Sequence, residues 1–394
     1  MRYPARMARF VGAAEAARQL GVQRATLYAY VSRGFIDRRV AVDGRTSLYS
    51  VDDLERLTSR TRRREVDGLP RPSLDVQIAT SVTTLDEDGV RYRGHDVAEL
   101  ARTASFERVA ELLWTDALPE EVGWPPPEPA DVALARRVTR AVRGPALPSM
   151  VAVASALGVR HPGDDPAAAA RRLLGVVPLV LDPTGDGEGG SLAERLASCW
   201  QPAGAATLAP VIDRALVLLA DHELATSTMA VRIAGSTWAP PYQAFAAGLA
   251  VVQGPLHGVA AHLAYDLLVD AERLGAASAI ARRLYAGERL PGFGHKIYKA
   301  ADPRLAPLLE AIALLPDPLG RVAVLDDLIR EAGVRMTRPP NIDLGLGGLA
   351  FVADLPRDVP LFAIARIAGF AAHLGEELAE RPLRYRGLAR SIAG

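Results

Sequence analysis

Residues 291–304 read PGFGHKIYKAADPR. His295 comes directly after Gly292-Phe293-Gly294 and is followed by Lys296 and Lys299, and Asp302-Pro303 marks a helix start. Such a loop suits an anionic ligand, because cationic side chains converge there with free backbone N–H donors. These are the only two lysines in a chain whose other fixed positive charges are all arginine. Three further stretches share this character. In RPPNIDLGLGG (338–348), prolines and glycines around Asp343 predict a fixed, nonregular backbone. In GPLHG (254–258), glycines let the backbone approach a ligand, and a following helix N-terminus disfavours an imidazolium, so His257 is expected to stay neutral and donate a hydrogen bond. In LADHELATST (219–228), His222 falls inside what reads as one long apolar helix from Pro210 to Ala234. Taken singly, each stretch is also compatible with an ordinary turn or a satisfied core histidine.

Around these loops the chain reads as amphipathic helices from Val97 to Glu380, including Ser149 to Leu157, Gly348 to Val352 and Leu361 to Glu380. Strands are few and lie chiefly before Tyr92. The fold class expected is mainly α. With 394 residues and 49% hydrophobic content, at least two packed units are needed. MRYPARMARF lacks an apolar core segment and no uninterrupted apolar run reaches about 20 residues, so neither a secretion signal nor a membrane span is expected, and a cytoplasmic location is. The single cysteine, Cys199, excludes an intramolecular disulfide and reads as a packing residue. The loop DPTGDGEGGS (182–191) is acidic but lacks calcium-loop spacing, so no metal is expected. Zero net charge hides an asymmetry: residues 1–70 hold 14 Arg against 8 Asp/Glu.

The ordered series ADHE, GPLHG, GFGH…Y…DPR, PN-I-D and FAIAR…RP, preceded by VRYRGHDVAELA and FERVAELLWTDALP, resembles the citrate synthase family over about residues 73–394. The resemblance implies a helical fold with a large domain (73–257 and 348–394) and a small domain (258–347). It implies condensation of acetyl-CoA with oxaloacetate in a homodimer, without a metal or redox cofactor. Asp343 matches the general base, His257 the group that holds the enol, and His295 the residue on the ketone carbonyl. His222, Arg304 and Arg366 match positions gripping the oxo acid. Arg381 matches an arginine reaching into the neighbouring subunit, with Arg384 as substitute. CoA is placed along Leu256, Gly292, Phe293 and Gly294, with Lys296 and Lys299 near its phosphates. Two departures stand out: Ala225 and Ala261 replace amide side chains that the family commonly carries. Propionyl-CoA as substrate, giving 2-methylcitrate, remains an alternative, as does a regulator that senses acyl-CoA or oxo acid through a weakened synthase domain.

The N-terminal part, residues 1–60, joins the rest through a linker at 61–72. VGAAEAARQLGV and QRATLYAYVSRG predict helix, turn, helix, and IDRRVAVDGRTSLYS predicts a hairpin around Asp43-Gly44. It resembles the winged helix-turn-helix of the MerR family. If it binds DNA, Arg24, Thr26, Tyr28 and Arg33 form the recognition face and Arg45 touches phosphate from the wing; an assembly role is the alternative.

Overall fold

The computed structural model describes residues 10–20, 27, 31, 36, 38–41, 46–51, 53–54, 78–86, 89–185, 189–254, 257–295, 297–298 and 301–385. The chain divides into two compact units, Met1–Ile78 with Leu284–Glu288, and Ala79–Arg283 with Arg289–Gly394. In the first unit, β1 (Phe10–Gly12) precedes α1 (Ala13–Leu20), and β2 (Arg38–Val40) and β3 (Ser47–Ser50) complete an antiparallel sheet of order β1-β3-β2. Val11 and Gly12 therefore depart from the expected helix, because their backbone pairs with β3 in the register Val11↔Tyr49 and Gly12↔Leu48. The expected hairpin is present in its arms, where Arg38 faces Tyr49 and Ala41 N–H donates to Thr46 O at 2.8 Å. Its turn residues lie outside the described residues, as do Arg24, Thr26, Tyr28, Arg33 and Arg45. Ala16, Leu27, Ile36, Tyr49 and Leu54 form this unit's own small core.

The second unit opens with an antiparallel meander, β4 (Thr83–Asp86), β5 (Gly89–Tyr92) and β6 (His95–Asp96). Helices follow: α2 (Val97–Thr103), α3 (Phe106–Thr115), α4 (Pro129–Val142), α5 (Ala146–Arg160), α6 (Pro166–Leu181), α7 (Leu192–Trp200), α8 (Ala205–Leu219), α9 (Thr226–Gly235), α10 (Pro241–Val252), α11 (Ala260–Leu274), α12 (Ala276–Tyr285), α13 (Leu305–Ile312), α14 (Arg321–Arg335), α15 (Ile342–Val352) and α16 (Leu361–Leu378). Polar caps set several starts. Asp96, Ser105 and Asp165 each accept the N–H three residues on, and Ser191 with Glu194 forms a reciprocal capping box. Between Pro202 and Leu219 the chain is long and apolar enough to cross a membrane by composition, yet Leu208, Ile212, Leu216 and Leu219 are buried in this unit's core.

Two sequence expectations are corrected here. The long helix from Pro210 to Ala234 is broken between α8 and α9, so His222 sits in a connection. The cause is tertiary: the Tyr92 hydroxyl donates to Asp221 O at 2.9 Å and accepts from Asp221 N–H at 3.1 Å, while Ala220 O accepts from Gly369 N–H at 3.0 Å. Backbone groups that a helix would use are taken by other elements. Conversely, Asp343 is not in irregular backbone but in the first turn of α15, which begins before Gly348 because Asn341 Oδ1 caps it through Asp343 N–H at 3.0 Å.

Helix α16 is buried along nearly its whole length, so its small residues decide how closely neighbours approach. A methyl group on Gly369 would lie 2.6 Å from the Ala220 carbonyl oxygen and overlap Asp221 Oδ1. Gly369→Ala should therefore destabilise by about 2 kcal/mol in urea unfolding, whereas Gly375→Ala, on the same helix with open space around it, should be neutral or slightly stabilising.

Candidate active site

The site is assembled by pairing two stretches far apart in sequence. Gly294 N–H donates to Pro339 O at 2.7 Å, Asn341 N–H to Gly292 O at 2.9 Å, and Asn341 Nδ2 to Gly294 O at 2.9 Å. Phe293, buried in the core, bridges Pro340. Gly292 and Gly294 have φ of 77° and 81°, a region that disfavours side chains, and a methyl on Gly292 would press on the Leu344 backbone. This pairing brings the loop carrying His295 against the start of α15, where Asp343 stands.

Asp302 makes a second tie, accepting Ile342 N–H at 3.0 Å while its two oxygens pair with Arg304 Nε and Nη2, both at 2.9 Å. Arg304 and Asp302 are buried together. Burial pushes the Asp343 carboxyl up to about 6, against the pull of Arg304 and with added repulsion from Asp302. A carboxylate with that value keeps a large basic fraction at neutral pH while holding a proton more firmly than an exposed aspartate.

His222 Nε2 meets the Tyr298 hydroxyl at 2.8 Å, and its ring lies edge-on to His295, with centroids 5.4 Å apart. His295 stacks on Tyr298 at 4.7 Å, and its Nδ1 accepts backbone N–H from Ile297 at 3.2 Å. With Nδ1 accepting, a neutral His295 carries its proton on Nε2. Burial, then Arg304, Arg366 and His295, hold His222 well below the ordinary histidine range. His257 Nε2 contacts Ser227 Oγ at 2.8 Å, and its ring packs edge-on against Phe362. Burial, reinforced by Arg366, lowers His257 to about 4. The imidazole is thus neutral at physiological pH, as expected from sequence, although desolvation and a neighbouring guanidinium are the causes here.

Arg366 is 1% exposed and stacks over Phe362 at 4.7 Å. Its Nε donates to Leu219 O at 3.3 Å, while Nη1 is buried with no hydrogen-bond partner among the described residues. A guanidinium desolvated in this way is costly unless an anion completes it. Arg304 and Arg366 both act on His222, Arg304 also on Asp343, and Arg366 also on His257. His222, His257, His295, Arg304, Asp343 and Arg366 therefore share one electrostatic neighbourhood. Leu256, Lys296 and Lys299 lie outside the described residues. Arg381 is exposed just beyond α16, whereas Arg384 forks onto Glu377 at 2.8 and 2.5 Å, so it is already committed within its own chain.

Sequence reading missed several participants. Tyr298 and Asp302 were quoted only as parts of motifs, and Ser227 and Phe362 carried no signal of their own. Ala225 is the N-cap of α9 and supplies no side-chain cap; an amide there would have a capping role as well as any catalytic one. Ala261, in the first turn of α11, lines a narrow apolar crevice that also touches Phe362. Away from this site, Glu128, Asp131 and His161 place ligand atoms within 4.8 Å of one another. Asp131 is nonetheless occupied by Arg160 at 2.8 Å and Arg172 at 2.7 Å, an ion-pair network joining α4, α5 and α6.

Solved structures share this architecture. Citrate synthase from Pyrobaculum aerophilum aligns with a TM-score of 0.68 and 23% identity, over 81% of this chain and 91% of that one. The ternary complex of carboxymethyl coenzyme A and oxaloacetate with citrate synthase from Thermoplasma acidophilum aligns at 0.64 and 24%, over 81% and 95%. The fold is accordingly that of the citrate synthases. Residues 75–386 match the family model described as citrate synthase, C-terminal domain, and the chain belongs to the citrate synthase family. Curated relatives include citrate synthase from Synechocystis sp., 30% identical over 74% of this chain and 82% of the relative, and 2-methylcitrate synthase from Mycobacterium tuberculosis, 27% identical over 76% and 84%.

Two outcomes follow from the local chemistry. Asp343 titrates near 3.8 when unfolded and about 6 when folded, so its favourable contribution to stability is full below the unfolded value and is lost as pH rises through 6. Asp343→Asn should therefore melt at a higher temperature than wild type at pH 7.5, with the advantage shrinking as pH falls to 5. Ala225→Asn should add a cap to α9 and stabilise by about 1 kcal/mol in denaturant unfolding.

Proposed function

We propose that the protein condenses the acetyl group of acetyl-CoA with oxaloacetate, giving citrate and CoA. The observation that carries this reading is the Asp343 carboxyl, raised to about 6, in one electrostatic neighbourhood with neutral His257 and the incompletely paired Arg366. A thioester methyl is a very weak acid, so its removal needs a carboxylate base together with a hydrogen bond to the developing enol oxygen. Asp343 takes the proton. His257, with Ser227 donating to Nε2, carries its own proton on Nδ1 and offers it to the thioester oxygen. The enol carbon attacks the ketone of the oxo acid, whose oxygen receives the His295 Nε2 proton, and a carbon-carbon bond forms. Arg366, Arg304 and His222 hold the carboxylates, and water then cleaves the thioester and releases CoA as a thiol. The backbone of Gly292 and Gly294, with Leu256, Lys296 and Lys299, is the reading for the CoA tract, and Phe293 serves it as a buried anchor.

The domains at 73–257 with 348–394 and at 258–347, and a homodimer in which Arg381 reaches the partner's site, belong to the same reading. The exposure of Arg381 and the commitment of Arg384 to Glu377 support Arg381 over Arg384 for that role. Propionyl-CoA is the second reading, favoured by the small Ala261 beside the apolar crevice and by the likeness to a 2-methylcitrate synthase. Residues 1–60 are read as a MerR-like module with 61–72 as its linker, serving in assembly or binding DNA, and the second role is testable. Retention of a labelled duplex in a gel, lost on changing Arg24 and Arg33, would support it.

Mixing the protein with oxaloacetate and either acyl-CoA, and following thiol release, tests the main reading. Wild type should turn over, Asp343→Ala should lose about a thousandfold in kcat, and the higher kcat/KM of the two acyl-CoAs names the product. No thiol release with either substrate would overturn the synthase reading.

A further inference from the structure

Beside His222 lies a buried carboxylate that the proposed reaction does not use. Asp221 is fully buried, and its Oδ2 accepts from Thr83 Oγ1 at 2.6 Å, from Glu223 N–H at 3.0 Å and from His373 Nε2 at 3.2 Å. The last contact has a defined polarity. Arg232, also fully buried, donates Nη1–H to His373 Nδ1 at 3.0 Å, so that nitrogen carries no proton and His373 must donate through Nε2. Arg232 is fixed in turn by Glu376 and Glu377, both at 2.8 Å. Asp221 and Arg366 attract one another electrostatically, but no hydrogen bond joins them, and Asp221 Oδ1 and Arg366 Nη1 are both buried without partners among the described residues. Gly369, one helical turn from Arg366, is the position whose missing side chain makes room for Asp221 Oδ1. Arg366 reaches Leu219 O, two residues before Asp221, and a carboxylate beside a desolvated guanidinium would ordinarily close into a fork with it, as Asp302 does with Arg304.

We propose that Thr83 and His373 hold Asp221 back, so that it balances the charge of Arg366 without occupying it, leaving the guanidinium free for a carboxylate of the 2-oxo acid. Asp221 and His373 are positioning residues on this view, and Arg232 sets the tautomer that makes His373 a donor. The inference rests on the reading of Arg366 as an oxo-acid ligand. Removing the His373 donor frees Asp221 to swing onto Arg366 and compete with substrate. Removing the Asp221 charge as well abolishes that competition, an outcome that loss of packing alone does not produce.

Calorimetric titration with oxaloacetate, alongside steady-state kinetics, tests this on the full chain. His373→Leu should raise the Kd and KM for oxaloacetate at least tenfold with the KM for acyl-CoA within twofold. His373→Gln, which keeps a donor, should restore most of the affinity, and adding Asp221→Asn to His373→Leu should restore it too. Should His373→Leu fail to fold, Thr83→Val, which removes the other side-chain donor, should raise the Kd severalfold. Unchanged oxaloacetate affinity in the folded variants, an equal loss for acyl-CoA, or a double variant weaker than His373→Leu would overturn the inference alone. A wild type that binds no oxaloacetate would overturn both it and the synthase reading.

Discussion

The pairing of Gly292–Gly294 with Pro339–Asn341 is the constraint on which the site depends. Neither Pro339 nor Pro340 can donate a hydrogen bond, so this edge offers the Pro339 carbonyl and then the Asn341 N–H and side chain, and the facing loop must match that pattern. The glycines answer by adopting left-handed backbone, and Phe293 between them turns into the core. One short bridge thereby sets the start of α15, the direction of the His295 loop and the place of Asp302 between them. Loss of any of these contacts would disturb His295, Asp343 and Arg304 together.

Buried charge is handled in two ways around this bridge. Arg304 forks onto Asp302 and Arg232 pairs with Glu376 and Glu377, which recovers much of what desolvation costs, although Arg232 Nη2 has no hydrogen-bond partner among the described residues. Arg366 has a counter-charge nearby but no fork, and its backbone partner is long. The contrast is between guanidiniums that are hydrogen-bonded to a carboxylate and Arg366, which is not. Such a side chain costs stability while no anion completes it.

Much of this was legible in the sequence. Glycines beside His257 and His295 announced their loops, since glycine has few other uses in such density, and helical periodicity located most helices of the second unit. The break at Ala220–Ala225 was not legible, because Asp221, His222 and Glu223 are compatible with the polar face of a helix; the partners that interrupt it, Tyr92 and Gly369, lie far away in the chain. The capped start of α15 was missed for the opposite reason: Pro339, Pro340 and the glycines advertised irregularity, while the Asn341 cap needed only one side chain. Asp221 stood out only as part of ADHE and His373 carried no signal of its own; their shared burial and contact reveal them as a pair.

Cys199, half-buried on α7, points its thiol at Pro178 O, 3.5 Å away, and burial raises it to about 11. Thiolate is the species that alkylating and disulfide-exchange probes attack, so at neutral pH the native chain is close to silent toward them. Since it is also the single cysteine present, the protein is a ready-made background for site-directed labelling. A cysteine introduced at an exposed position would take up a fluorophore or spin label almost alone, giving a reporter of ligand-driven motion without first engineering the natural thiol away.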